Sequence, residues 1–313
     1  MCGMSQPLSA QNLFLRLDSM LTRNYHKANY DTAYIERPRS KWAIVARVNM
    51  SGAEIETEGM DNGAHFKSLM EAKRKTTVSL GFSYSGILLS ASLNPAQMMG
   101  KYHDYEFNMN CYRRNFGFDI IYQDAKNFTG WYDQDGLERM ELRDGTLKVK
   151  TLNLNAYYAF NNRRFSYPAA FSQSYIQRRP AGSFLLAASC MAQQAALDVE
   201  QEQELKLKML NVGIGAGYGY NFVPGKGWLL HISALPTLVA YSKATMTYGD
   251  DRVSLRYKFP EFIITTRGAV VRQWNSSYAG LSMVYNYTNT GDRDDFSVYN
   301  SKWRIRTFFG LRL

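Results

Sequence analysis

Residues 42 to 313 alternate apolar and polar side chains with a period of two, in one segment after another. Neighbouring side chains of a strand point to opposite faces, so this period specifies strands with one apolar and one polar face, where a helix would repeat every ~3.6 residues. In 41–50, Trp42, Ile44, Ala46, Val48 and Met50 share a face opposite Ala43, Val45, Arg47 and Asn49. In 209–221, Val212, Ile214, Ala216, Tyr218 and Tyr220 oppose Gly213, Gly215, Gly217 and Gly219. In 302–312, Trp303, Ile305, Thr307, Phe309 and Leu311 oppose Lys302, Arg304, Arg306 and Arg312. Comparable segments at 75–84, 87–94, 104–113, 116–123, 147–160, 183–190, 228–240, 262–274 and 278–287 bring the total to about twelve strands. Most approach the roughly 9–11 residues that cross a bilayer at a tilt.

Alternation alone also fits a two-sheet sandwich, but the connections discriminate. Short links at 84–86, 114–115, 161–164, 222–227 and 275–277 alternate with longer ones at 51–74, 95–103, 124–146, 191–208, 241–261 and 288–301. Short turns at one end and long loops at the other are the pattern of an outer-membrane barrel, with an even strand number placing both termini at the periplasmic end. The apolar-parity aromatics Trp42, Tyr84, Phe116, Phe160, Tyr220, Trp228 and Trp274 gather at that end, where amphipathic rings settle at the headgroup level. The opposite parity is rich in Ser, Thr, Asn, Gly and Arg, so the expected outside is apolar and the lumen polar. The predicted fold is all-β: an antiparallel transmembrane β-barrel of about twelve strands over 41–313, located in the outer membrane of a Gram-negative cell, with outer-membrane lipid as its surroundings.

Residues 1–40 read differently, as a signal remnant, a periplasmic helix and a linker. Leu8-Ser9-Ala10 before Gln11 has the small residues of a secretory cleavage site, although the basic and apolar regions that precede such a site are missing. The expectation is a truncated signal sequence, with chance resemblance the alternative; a lipidated Cys2 lacks the same upstream segment. Leu13, Leu17, Met20 and Leu21 fall at helical spacing and predict a short amphipathic helix over 12–26.

No stretch of the chain reaches the ~18 apolar residues of a membrane helix, which excludes a helical membrane protein. The net charge of +10 is dispersed, with no run of five basic residues, which argues against nucleic acid as a partner. Cys2, Cys111 and Cys190 lack disulfide or zinc spacing, and His26, His65, His103 and His231 lack metal spacing, so no metal and no cofactor are expected. His231 and Ser233 share an inward face, but a nucleophilic pair needs a third orienting group. A twelve-stranded outer-membrane phospholipase is the enzyme analogy, yet no Ser-His pair occupies the lipid parity here. An outer-membrane enzyme acting on lipid or envelope components is therefore the alternative function. Nothing in the sequence bears on oligomeric state.

Inward parity collects Arg47, Arg267, Arg304 and Arg306 against Glu106 and Asp119, a transverse field suited to small anionic or dipolar solutes. Phe165 to Gly182 is too long for a periplasmic turn. A periplasmic loop is one reading; the other folds the segment into the lumen as a plug over the bare strand of Gly213, Gly215, Gly217 and Gly219. Phe165, Tyr167, Phe171 and Tyr175 would fill the space, and Arg178 and Arg179 would pair with Glu106 or Asp119. The glycine row lacks the spacing of a phosphate-binding loop.

The run Tyr157 to Ser174 (YYAFNNRRFSYPAAFSQS), with Ala181-Gly182-Ser183-Phe184, Gly217 to Pro224 (GYGYNFVP) and the terminal Phe308 to Leu313 (FFGLRL), resembles an uncharacterised outer-membrane barrel family common in Bacteroidetes that carries only a domain-of-unknown-function label. The resemblance runs from about Asp31 to Leu313. It implies membrane location and lends no catalytic residue. The functional expectation is a narrow or plugged pore or transporter, or a structural membrane protein.

Overall fold

The computed structural model describes residues 29–61, 63–84, 87–95, 105–126, 128–198, 204–249, 251–255, 261–292 and 296–313, with Ser19 and Met99 besides. Apart from Ser19, the helix expected over 12–26 lies outside the described residues, as do the cleavage-site residues.

In chain order the elements are β1 Ile35–Glu36, β2 Trp42–Asp61, β3 Ala64–Ala72, β4 Lys75–Tyr84, β5 Ile87–Leu93, β6 Tyr105–Tyr112, β7 Phe116–Ala125, β8 Phe128–Gln134, β9 Met140–Leu142 and β10 Leu147–Ala159. There follow the helical turn α1 Pro168–Phe171, then β11 Ile176–Gln177, β12 Ala181–Asp198, β13 Glu204–Phe222, β14 Trp228–Tyr248, β15 Asp251–Leu255, β16 Phe262–Gln273, β17 Ser277–Asp292 and β18 Phe296–Arg312. Every segment that alternates in the sequence coincides with one of these strands or part of one, to within a residue at either end.

Twelve of the strands follow one another in one antiparallel sheet in the order β5-β4-β2-β18-β17-β16-β14-β13-β12-β10-β7-β6, and β1 and β11 pair apart from it. The register joining first to last runs from Phe296↔Gly59 to Arg312↔Ala43, which curls the sheet upon itself. Among the described residues no ladder joins β5 to β6. The curl is closed enough for strands far apart in the order to touch through side chains. Asn300 on β18 donates to Gln193 on β12 at 3.0 Å, and Asn211 on β13 to Thr290 on β17 at 3.3 Å.

Two expectations need correction. The long connections are largely strand: β2 and β3 form a hairpin over most of 51–74, and β12, β13, β14, β15, β17 and β18 take up most of the described residues of 191–208, 241–261 and 288–301. Ladder pairing there satisfies backbone groups that a loop would leave to water. The connection after β7 returns as β8, which pairs with β3 from Phe66↔Gln134 to Ala72↔Phe128.

The second correction concerns the inner face, which is not uniformly polar. At the short-turn end Val45, Leu185, Leu229, Leu235, Val271 and Phe308 point inward and are buried, packed with Tyr157, Tyr278 and the 165–171 segment. At the long-loop end Ile55, Phe128, Leu147, Val149 and Val298 form a second apolar cluster. A band of Arg, Asp, Asn, Gln and Lys lies between them. The outer face is apolar as expected: Leu80 is 64% exposed, Ile214 63% and Phe184 71%.

Candidate functional site

The segment after β10 turns into the curled sheet. Pro168 supplies the fixed φ favoured in the first turn of a helix, and α1 lasts a single turn. Gln173 ends it at φ 53°, a left-handed conformation usually left to glycine. Its N–H bonds the Pro168 carbonyl at 2.8 Å and its side-chain amide the Ala170 carbonyl at 3.0 Å, which offsets the strain. Phe165, Tyr167, Ala169 and Ala170 are wholly buried and Phe171 nearly so. Burying each large aromatic contributes about 1.5–3 kcal/mol, so the inward position is held by the apolar inner wall rather than by the turn itself.

A chain of hydrogen bonds fastens the segment to β13 and β14. Asn221 Oδ1 accepts from His231 Nδ1 at 2.7 Å, which leaves Nε2 to accept the Ser233 hydroxyl at 3.0 Å. Ser233 Oγ can then accept from the Tyr167 hydroxyl at 3.2 Å. Asn221 Nδ2 donates to the Ser166 carbonyl and to Gln177 Oε1, both at 2.9 Å. Gln177 also accepts the Ser166 N–H at 2.9 Å, and its amide donates to the carbonyls of Arg164 at 2.6 Å and Arg179 at 2.9 Å. This side chain therefore ties both ends of the segment together. Burial raises the Tyr167 phenol above its ordinary value and keeps it a donor. Asn221 and Gln177 were not among the expected site residues, although Asn221 continues the inward parity of the glycine row.

The glycine row divides. A Cβ at Gly219 would meet Phe165 at 3.1 Å, so that position faces the segment. At Gly213, Gly215 and Gly217 a Cβ would strike the main chain of β14 at Leu238, Pro236 and Ala234 instead. The expectation that all four face a plug is corrected: three are bare because a neighbouring strand comes close, beside the register shift between Val212 and Gly213.

Arg178 and Arg179 do not enter the lumen. They are exposed at the mouth, where Arg178 pairs with Glu36 on β1 and Arg179 lies over the Tyr34 ring at 5.9 Å. The β1–β11 pair, Glu36↔Ile176 and Ile35↔Gln177, holds that stretch outside. Tyr175 is half-buried there, edge-on to Tyr30 at 5.8 Å with Arg37 over its ring.

Asp119 is instead paired from the opposite wall. Arg267 Nη2 lies 2.6 Å from Asp119 Oδ2, while Asn110 and the Tyr112 hydroxyl, both at 2.6 Å, donate to Oδ1. The Arg267 guanidinium also sits about 6 Å from the rings of Tyr157, Tyr167 and Phe171, so the same cation holds Asp119 and lies beside the inserted segment. Arg47 is buried and Arg304 and Arg306 half-buried, with Arg306 Nε donating to Asn49 at 2.7 Å. The Glu106 side chain lies outside the described residues. Among the described residues, the lumen keeps cavities of about 60 and 40 Å³. At roughly 10–15 Å³ per water, each has room for a few waters and not for a sugar-sized solute.

His65 rests on Glu58 at 3.3 Å, and among the described residues no three His, Cys, Asp or Glu side chains group to hold a metal. Cys111 and Cys190 are free and half-buried. The chemistry on offer is hydrogen bonding and charge inside a filled lumen.

A curled, all-antiparallel sheet with an apolar exterior and an inserted segment defines the class of protein. The chain belongs to the family described as "Domain of unknown function (DUF4421)", whose model matches residues 29–312. Curated proteins show no match to this sequence. Among solved structures it is similar to the outer membrane protease OmpT from Escherichia coli, at 7% identity and TM-score 0.47, covering 88% of this chain and 97% of that one. It is also similar to the outer membrane protein OprG from Pseudomonas aeruginosa, at 10% identity and TM-score 0.30, covering 88% and 97%. The toluene transporter TodX from P. putida has 8% identity and TM-score 0.27, covering 88% and 91%.

Proposed function

We propose that this protein is an outer-membrane β-barrel of twelve membrane-crossing strands whose lumen is closed by its own 165–177 segment, and that it passes small anionic or dipolar solutes when that segment is displaced. The observation that carries the reading is the seating of the segment: it is buried against the inner wall and fastened by the hydrogen-bond chain from Gln177 to Ser233. Membrane placement is supported by an apolar outer face too extensive for water, with Trp42, Phe116, Phe160, Trp228 and Trp274 exposed at the short-turn end. Lumen cations outnumber the described lumen carboxylates Asp119 and Glu261, which favours anions over cations.

The test is planar-bilayer conductance of the refolded protein. The wild type should be silent, and a variant lacking 166–175 should carry an anion-selective current. Steady current through the wild type, or silence of a folded deletion variant, would overturn the closed-pore reading.

A second reading is an envelope hydrolase. It is favoured by the Asn221–His231–Ser233 chain, which supplies the orienting group that sequence reasoning lacked. Ser233 is 2% exposed and covered by Tyr167, so any such chemistry would need the segment withdrawn. Labelling of the deletion variant by a fluorophosphonate, abolished by His231→Ala, would favour this reading over the pore.

A further inference from the structure

The net charge of +10 is dispersed along the sequence, but the fold gathers it at one end. The turns and strand ends of the short-turn side, with the stretches 29–41 and 160–182, carry eleven exposed or half-buried cations of the chain's 37 and only two of its 27 Asp and Glu residues. Those two are already engaged, Asp31 by Arg164 at 3.4 Å and Glu36 by Arg178. The residues before Tyr30 bring one carboxylate, Asp18, against Arg16, Arg23 and Lys27, so their sequence cannot offset the surplus. Like charges gathered on one face repel, and an acidic partner lowers that cost.

Position separates these cations into two sets. Arg272 lies over the outward rings of Trp228 and Trp274 at 5.1 and 5.9 Å, on the rim that a lipid headgroup reaches. Arg163, Arg164, Arg178 and Arg179 stand instead where the strap of residues 31–36 crosses the ends of the inserted segment. There the Asp31 N–H bonds the Arg163 carbonyl at 2.8 Å and the Arg178 N–H the Tyr34 carbonyl at 2.7 Å, beside the β1–β11 pair. Tyr34 packs on the buried cluster that contains Phe165 and Phe171, so this set sits over the lumen and away from the bilayer.

The rings beneath the cations give the partner its character. Arg164 and Arg179 rest 5.0 and 5.9 Å from the Tyr34 ring, and Arg37 rests 5.1 Å from the Tyr175 ring. A guanidinium held against a ring keeps its N–H fork ordered for a planar carboxylate and has less freedom to lose on binding. Nine of the eleven cations are Arg, and Arg and Tyr are among the residue types enriched at the centres of protein interfaces.

We propose that the strap and the ends of the inserted segment form a docking face for an acidic segment of a soluble periplasmic protein, whose Asp or Glu carboxylates are taken by Arg163, Arg164 and Arg179. The proposal rests on the reading of the chain as an outer-membrane barrel with its short turns in the periplasm, and not on conduction.

The experiment measures fluorescence anisotropy of labelled decaglutamate against the whole chain in phosphatidylcholine nanodiscs, at about 0.15 M salt, where exposed charges more than about 8 Å apart are largely screened. The peptide should bind saturably, and Arg163→Gln with Arg179→Gln should weaken it by about tenfold or more. Arg164→Lys with Arg179→Lys keeps the charge, removes the forks and should weaken binding too; full affinity there would reduce the effect to net charge and overturn the docking face. Lys226→Gln with Arg272→Gln, on the rim, should leave binding unchanged, and its loss with that pair would also overturn the assignment. Two further probes cover other occupants. A fluorescent phosphatidylglycerol whose binding falls in the Arg163 and Arg179 variant, while decaglutamate is indifferent, would give the face to lipid. Isolated sacculi that sediment the wild type but not that variant, without competition from decaglutamate, would give it to the cell wall. Either result overturns the proposal. A chain that does not enter the discs fails the barrel reading, whereas a folded barrel blind to decaglutamate fails this proposal alone and keeps its conductance result.

Discussion

Arg267 on β16 and Asp119 on β7 meet across the lumen at 2.6 Å with 4% and 3% of their side chains exposed. Five steps of the sheet order separate their strands, so the pair braces opposite walls and cannot be replaced by any local contact.

Removing one partner strands the other charge in the interior. Asp119→Asn or Arg267→Met should destabilise the folded protein by about 3–5 kcal/mol, whereas the double change Asp119→Leu with Arg267→Met should cost much less. Urea unfolding followed by the heat-modifiable gel shift reports each variant. Equal losses in single and double variants would mean the pair is not coupled.

Gly219 and Gly217 should respond differently to the same substitution. Gly219→Leu presses on Phe165 and should cost about 1–3 kcal/mol, a penalty that shrinks when 165–175 is deleted. Gly217→Leu meets the main chain of β14 and should remain costly in the deletion background. A double-mutant cycle on folding yield and unfolding midpoint separates the two.

Gln177 joins both ends of the inserted segment to β13. Gln177→Ala orphans the buried Ser166 N–H, at about 1–3 kcal/mol, and leaves the Asn221 amide only its bond to the Ser166 carbonyl. Hydrogen exchange over 165–177 should accelerate by orders of magnitude while the β16–β17 amides stay protected. Unchanged exchange there would show that apolar packing alone seats the segment.

The outer face can be tested by charge. Arg at Leu80 or Ile214 should cost about 2–4 kcal/mol when the protein folds into bilayers, and much less for Arg at Leu137, which is exposed in the β8–β9 turn. Indifference at both Leu80 and Ile214 would place the sheet in water.

Strand positions and the outward face were legible because period two is imposed by the backbone itself, whatever the chain later packs against. Trp42, Leu80, Ile214 and Phe309 declare their side by parity alone. The same parity also placed Arg267, Asp119 and His231 inside, and it already held a hint of the core: Val45, Leu185, Leu229 and Val271 are apolar residues on the polar parity near the short turns, a signal that a segment must cover them. What parity cannot express is who meets whom across the curl. Asp119 finds Arg267 rather than Arg178 because β1 holds Arg178 outside on Glu36. Gly213, Gly215 and Gly217 are bare for β14 and not for Phe165, because the register shift after Val212 draws that strand close. Local alternation is a property of each strand alone, and it settled the sheet and its two faces. Charge pairing, the seating of 165–177 and the residual cavity depend on register and curvature summed over the whole sheet, and only the tertiary structure decided them.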